Sequence, residues 1–281
     1  RDRLQMRSLS GPKNPDGPAD PIIVHPDVRR MLLTQKAFAE GGRALIYFAS
    51  AQGDILTKSD DPESRELANH ILNFLTPIIK AFLTETGFEA ANLGLQCFGG
   101  HGYISEWGAE QNVRDARIAM LYEGTTGVQA LDLLGRKVLG TRGEALAPVT
   151  DFVLDFCKRS RSRKEMRPYL KTLVRLTKQW KSLTRKIGFS AMRNRDAVGA
   201  ASVDYIMFSG YVLLGVAWAA SARVAYKRLE EGTKEEAFYR AKIRTAEFYF
   251  AKILPRTTTL LETMLAGPDP LMKMDESEFM F

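Results

Sequence analysis

The feature that most constrains the fold is an uncharged run of eighteen residues, from Tyr205 to Ala222. A run of this length just reaches the threshold for a membrane-spanning helix. It is interrupted by the small residues Ser209, Gly210, Gly215 and Ser221, and amphipathic helical sequence lies on both sides of it. Small residues allow neighbouring helices to approach closely. We therefore favour a buried central helix of a helical protein over a membrane span.

Apolar residues recur at helical spacing along most of the chain, and no segment shows the alternation of a half-buried strand. The predicted helices cover residues 28–52, 64–83, 89–98, 110–120, 125–138, 149–160, 166–191, 196–231 and 234–264. Pro77 is expected to kink the second of them, because proline removes an intrahelical hydrogen bond. The opening stretch Ser10–Pro21 is rich in glycine and proline and is predicted to be an irregular loop. The fold class predicted is all-α.

A chain of 281 residues is long enough for about two domains. The best boundary lies between Gly140 and Pro148, where glycines and a proline interrupt the helical pattern. We therefore predict a helical domain over residues 1–145 and a second helical bundle over residues 146–281, in series.

The net charge of +7 is unevenly distributed, since residues 158–195 hold fourteen Lys or Arg and the single acid Glu165. In the predicted helix 166–191, basic residues fall on one face and leucines on the other, which is typical of an amphipathic helix with a solvated basic face. A basic face could also bind nucleic acid, the phosphates of coenzyme A or a membrane surface. An inert helical module with such a binding role is the alternative to an enzyme.

Cys97 and Cys157 have neither CxxC spacing nor a nearby histidine, which argues against a disulfide framework and a zinc site. His25, His70 and His101 also lack partners at metal-ligand spacing, so no metal is predicted. A reducing cytoplasm fits this cysteine usage. The charged opening residues, with no Met and no signal peptide, are expected to belong to a longer polypeptide.

Two short segments carry candidate chemistry, Gln96–Tyr103 and, about twenty residues later, Tyr122–Thr125. In the second, Glu123 stands beside Gly124 before a predicted helix, where a dehydrated carboxylate could act as a base. From the residues alone, a cap on that helix or a pair with an arginine is the favoured role of Glu123. The glycines of the first segment could form a tight turn, or offer backbone amides to a phosphate.

In this order and spacing, the two segments resemble the C-terminal domain of the acyl-CoA dehydrogenases, a four-helix up-and-down bundle. The resemblance implies that Glu123 abstracts the α-proton of an acyl-CoA while a β-hydride passes to FAD, which leaves a trans-2-enoyl-CoA. The Glu123 N–H and a ribityl hydroxyl would hold the thioester carbonyl, and Tyr122 and Gly124 would flank the substrate.

The same resemblance assigns cofactor contacts. Gln96, Gly99 and Gly100 would contact the ADP half of the FAD of a partner subunit, and Arg3 would pair with the pyrophosphate. Thr125 would contact the flavin, whereas Gly127 replaces a glutamine that often stands there in the family. A homodimer or dimer of dimers, and electron-transfer flavoprotein as electron acceptor, are also implied.

The proline- and glycine-rich insert after Arg7 and the helical extension after Gly140 resemble the larger branch that includes 3-methylmercaptopropionyl-CoA dehydrogenases. Members of the family also have an N-terminal helical domain and a middle β-domain, and neither is in this sequence. The resemblance therefore implies a C-terminal fragment that alone binds FAD weakly and turns over no substrate.

Overall fold

The computed structural model describes residues 3–280, and this part of the chain is helical without a β-strand, apart from one isolated bridge between Leu4 and Pro21. The predicted all-α class is confirmed. The principal helices are α1 Pro26–Lys58, α2 Pro62–Phe98, α3 Ala109–Ile118, α4 Thr126–Leu131, α5 Ala147–Arg159, α6 Arg167–Arg193, α7 Asp196–Glu231, α8 Glu236–Phe248 and α9 Arg256–Leu265.

The long helices α1 and α2 form an antiparallel hairpin, because only Ser59–Asp61 connects them. The Asp61 side chain accepts a hydrogen bond from the Ser64 N–H at 3.1 Å and so caps the first turn of α2. The predicted break between residues 83 and 89 is wrong, since α2 is continuous from Pro62 to Phe98. The hydroxyls of Thr84 and Thr86 donate to carbonyl groups of the preceding turn, which accommodates this polar stretch within the helix.

Helix α4 continues as a π-helix over Asp132–Leu139. The predicted helix 125–138 is therefore present, but its second half is a π-helix and not an α-helix. In the second half, the predicted helix 234–264 is interrupted. Helix α8 passes into a π-helix over Tyr249–Ile253, and α9 begins only after Pro255. The prediction of one continuous helix is therefore wrong here, because Pro255 has no N–H to donate to the preceding turn.

Helix α7 matches its predicted bounds and lies at the centre of the protein. By length and composition it is the one helix within residues 3–280 that could cross a membrane, but 78% of its apolar window is buried. It packs against α1, α2 and α4 of the first half and against α6, α8 and α9 of the second. The prediction of a core helix is therefore confirmed.

Close contacts join α7 to the α1–α2 hairpin. Trp218 donates its indole N–H to the Ala37 carbonyl at 3.0 Å, and Gly41 leaves room for the Trp218 ring. Gly210 lies against the buried ring of Phe82. One continuous core thus includes side chains from both halves, and the division at residue 145 stays a prediction.

An ion pair between α2 and the first residue of α9 also links the two halves. Arg256 donates two hydrogen bonds to the Glu89 carboxylate, each of 2.7 Å, and a third to the Tyr211 hydroxyl at 3.0 Å. The Glu89 hydrogen bonds raise the pKa of Arg256, so the guanidinium stays charged. This bidentate geometry fixes the position of α9 on α2.

The predicted loop before α1 is ordered around one buried carboxylate. Asp20 is fully buried and accepts hydrogen bonds from the backbone N–H groups of Ser8, Asn14 and Lys13 at 2.7–2.8 Å. It also pairs with Arg7 at 3.5 Å. The hydrogen bond from Ser8 has the largest effect on this carboxyl group, and together these contacts lower the pKa of Asp20 to about 2 despite its desolvation.

We expect Asp20→Asn to loosen residues 4–20, because a neutral amide has one acceptor oxygen and does not attract Arg7. The pKa is lowered on folding, so the contribution of Asp20 is complete above its unfolded pKa of about 3.9 and is lost as the pH falls through about 2. Amide exchange of Ser8 and Asn14 at neutral pH measures the effect. Asp16→Asn, an exposed position in the same loop, is the matched control, and equal exchange in both variants would contradict the assignment.

Candidate active site

The turn before α4 has an unusual backbone. Glu123 has a φ of +54°, one of three non-glycine residues with positive φ within residues 3–280, and Gly124 follows with a φ of +91°. The left-handed region is unfavourable for a residue with a Cβ atom, so the surrounding structure must hold Glu123 there. The Glu123 side chain is exposed.

Three contacts hold this turn. Thr125 caps α4, because its hydroxyl accepts from the Val128 N–H at 3.4 Å. The Gln129 side chain donates to the Glu123 carbonyl at 3.3 Å. Thr126 donates to the Glu85 carboxylate of α2 at 2.6 Å. The turn is therefore anchored both to its own helix and to α2.

The backbone N–H of Glu123 donates no hydrogen bond within residues 3–280. It lies beside an exposed carboxylate on the same residue, so one position offers a proton acceptor and a hydrogen-bond donor. Removal of an α-proton from a carbonyl compound uses both groups: the carboxylate accepts the proton and the N–H donates to the carbonyl oxygen. The arrangement requires that another surface cover the site and exclude water.

Apolar side chains surround the turn. Five of them are each about half exposed: Ile118, Leu121, Tyr122, Val128 and Leu131. Several exposed large apolar side chains close together in sequence indicate a surface that another domain, subunit or ligand covers. Covering this patch would also dehydrate Glu123.

The glycine segment forms the end of α2 and the turn after it. Gly99 has a φ of +61° and donates to the Gln96 carbonyl at 3.0 Å, and a Cβ at Gly99 or Gly100 would meet no atom within 4 Å. Gly102 differs, because a Cβ there would lie 2.4 Å from the Leu95 carbonyl oxygen. Gly102 thus makes the tight turn possible, while Gly99 and Gly100 present open backbone.

A cavity of about 710 Å³ lies next to this turn, and Arg3 lines it together with residues of the glycine segment and α1. Its other lining residues are Ile22, Ile23, Val28, Leu32, Cys97, Phe98, His101 and Trp107. The Arg3 carbonyl accepts from the Ile22 N–H at 2.9 Å, which fixes the chain here. A guanidinium, aromatic rings and open backbone fit the ADP half of a dinucleotide. Asp2 lies outside the described residues.

The predicted site residues thus form two groups. Arg3 comes close to the segment of Gln96, Gly99 and Gly100, although these are far apart in sequence. The residues Tyr122, Glu123, Gly124 and Thr125 form the other group, at the start of α4, and α3 separates the two groups along the chain. A Cβ at Gly127 would meet no atom within 4 Å, so the structure leaves space for the family's glutamine.

Sequence reasoning missed Gln129 and Glu85. Gln129 lies six residues after Glu123, and a polar side chain early in the helix after a glycine turn could have been recognised as reaching back. Glu85 contacts Thr126 over 41 residues of sequence, and no local signal marks it. Within residues 3–280 no cluster of metal-ligating side chains occurs.

The basic helix is amphipathic as expected. In α6 the leucines Leu170, Leu173, Leu176 and Leu183 are buried, as is Trp180. Five basic residues of the helix are exposed: Lys171, Arg175, Lys178, Arg185 and Lys186. Lys181, half-buried, pairs with Asp151 of α5 at 3.0 Å. Helix α6 therefore stabilises the core with one face and presents positive charge with the other.

Comparison with known families gives two adjacent matches. Residues 13–139 match the family described as acyl-CoA dehydrogenase, C-terminal domain, and residues 146–275 match acetyl-CoA dehydrogenase C-terminal like. The chain is 36% identical to a 3-methylmercaptopropionyl-CoA dehydrogenase of Ruegeria pomeroyi, over 90% of this chain and 42% of that protein. It is 32% identical to the broad-specificity linear acyl-CoA dehydrogenase FadE5 of Mycobacterium tuberculosis, over 99% of this chain and 47% of that protein.

Among solved structures, Caenorhabditis elegans ACDH-11 in complex with C11-CoA superposes with a TM-score of 0.62. The match covers 84% of this chain and 37% of that one, at 19% identity, and therefore concerns the fold alone. The chain spans less than half the length of the curated relatives named above.

Proposed function

Because this chain belongs to the acyl-CoA dehydrogenase family and carries its C-terminal helical domain followed by a second helical domain, we propose that it is the C-terminal half of an FAD-dependent acyl-CoA dehydrogenase. The reaction would remove hydrogen from the α and β carbons of an acyl-CoA thioester. The observation that carries the proposal is the Glu123 turn, held in a left-handed conformation with an exposed carboxylate and an N–H that donates to no group among residues 3–280.

In this proposal the Glu123 carboxylate accepts the α-proton. The Glu123 N–H donates to the thioester carbonyl oxygen, where negative charge develops as the proton leaves. Gln129 and Thr125 hold the turn so that both groups keep their positions. When bound, FAD supplies the chemistry of a hydride acceptor.

Arg3, Gln96, Gly99 and Gly100 are the residues that would hold the ADP half of FAD, and Thr125 would contact the flavin side. Tyr122 and Gly124 would border the acyl group. The apolar patch around Tyr122 supports this arrangement, since it requires a covering surface before Glu123 is dehydrated. We also propose a homodimer or dimer of dimers, a cytoplasmic location and electron-transfer flavoprotein as electron acceptor.

The test uses the complete polypeptide that carries this chain. We expect it to purify with FAD and to lose its oxidised-flavin absorbance anaerobically when acyl-CoAs are added. A panel of straight-chain acyl-CoAs and one thioether acyl-CoA, of the kind that the Ruegeria relative's name indicates, would identify the substrate class. A complete protein without flavin, or with a flavin that no acyl-CoA bleaches, would contradict the proposal.

A further inference from the structure

A second large cavity lies away from the candidate active site, between the loop after Leu139 and the last turns of α6. It has a volume of about 880 Å³ and largely apolar walls that include Leu146 and Gly188. Phe189 and Met192 border it and are 70% and 82% exposed. Exposed apolar side chains beside a cavity of this size indicate a surface that a partner covers. We call it the basic groove, because of the charges around it.

Three cations line the basic groove: Arg142, Lys181 and Arg185. Lys181 pairs with Asp151, whereas Arg142 and Arg185 form no ion pair within the described residues. Arg142 has a φ of +54°, so its backbone is held in an unfavourable conformation at the groove. The groove therefore suits a ligand that combines apolar side chains with negative charge.

The same chain contains a segment of that composition. Residues 269–280, which we call the acidic segment, hold four acids and one base, for a net charge of −3. Every residue in it is exposed. Its large apolar side chains are Leu271, Met272, Met274, Phe279 and Met280. Five large apolar side chains within twelve residues are unusual for a surface that meets only water.

The acidic segment is nonetheless ordered. It forms a helical turn over Asp269–Met272 and a 3-10 turn over Glu276–Phe279, which begins with a capping box between Asp275 and Glu278. Local hydrogen bonds thus hold its shape, while each of its large apolar side chains is about half exposed or more. A segment that is already ordered loses less conformational entropy when it binds.

We propose that the basic groove binds the acidic segment of a second copy of this chain. Each copy carries one groove and one segment, so two copies related by a two-fold axis can exchange segments and fill both grooves without further growth. The apolar side chains of the segment, chiefly the adaptable methionines, would cover Phe189 and Met192. Its carboxylates would meet Arg142 and Arg185.

Each contact is small beside the roughly 1,600 Å² of a standard protein interface, so a single segment is expected to bind weakly. Two reciprocal contacts strengthen each other, because binding of the first makes the second intramolecular. The exchange would therefore contribute to self-association. It is independent of the proposed chemistry, since no residue of the Glu123 turn takes part.

The test begins with a fluorescent peptide of residues 267–281, titrated with the chain truncated after Ala266 and followed by anisotropy. We expect saturable binding in the micromolar range that weakens as salt screens the charges. The double substitution Arg142→Glu and Arg185→Glu is expected to weaken binding at least tenfold. Met192→Asp, at an exposed position, should weaken it independently of the cations.

Lys171→Glu with Lys178→Glu is the matched control, since both lysines are exposed on α6 and do not line the groove. Sedimentation velocity then compares self-association of the whole chain, the truncated chain and the groove variant. We expect truncation and groove substitution to reduce it alike. The proposal is overturned by a peptide that does not bind, by equal loss in the lysine control, or by unchanged self-association after truncation.

Discussion

On the proposed function, replacing Glu123 by Gln in the complete polypeptide is expected to slow flavin reduction by an acyl-CoA by about a hundredfold or more. Glutamine has nearly the size of glutamate, but its amide does not accept the α-proton, and general-base catalysis contributes on the order of a hundredfold to ten-thousandfold in rate. The backbone N–H at residue 123 remains in the variant. Substrate affinity is therefore expected to change much less than the rate.

Stopped-flow absorbance of the flavin under anaerobic conditions separates these quantities, because it gives the reduction rate at saturating substrate and the apparent affinity. The matched control is Glu106→Gln, the same chemical change at an exposed carboxylate near the glycine segment. We expect the control to reduce at the original rate. A Glu123→Gln protein that also reduces within a few-fold of that rate would rule out Glu123 as the base.

The helix at the centre of the fold could be predicted because its signal is local. Eighteen uncharged residues interrupted by a few small ones favour a buried helix, and α7 has the predicted bounds. The continuity of α2 could not be predicted in the same way. Thr84 and Thr86 interrupt the apolar pattern, and only their hydrogen bonds to the preceding turn show that the helix passes through them.

The candidate site divides along the same line. Glu123 could be predicted as a candidate base from four consecutive residues. The structure places it and the following Gly124 in a turn with left-handed backbone angles. The contact of Glu85 with Thr126 depends on how α2 packs against α4 and has no trace in the local sequence. Likewise, the position of Arg3 at the cavity beside Phe98 follows from the ordered loop around Asp20 rather than from any spacing.

Gly210→Ala is expected to destabilise the protein more than a single methyl group would suggest. A Cβ at this position would lie 2.1 Å from Cγ of Phe82, which is fully buried and packed edge-on against Tyr211. Because the ring is fully buried, we expect α2 and α7 to move apart to make room for the methyl group. Overpacking of a core typically costs about 1–3 kcal/mol, and we expect a loss at the upper end of this range. Chemical denaturation of the chain measures it.

The same helix provides the control, because a Cβ at Gly199 would meet no atom within 4 Å. Gly199→Ala is expected to be neutral or to stabilise by up to about 1 kcal/mol, since alanine restricts the unfolded chain more than glycine does. Phe82→Leu should restore part of the stability lost in Gly210→Ala, because the smaller side chain makes room for the added methyl group. The effects of two substitutions on the free energy of unfolding are not additive when the residues are in contact. Equal effects of Gly210→Ala and Gly199→Ala would mean that the two halves are not packed together through this contact.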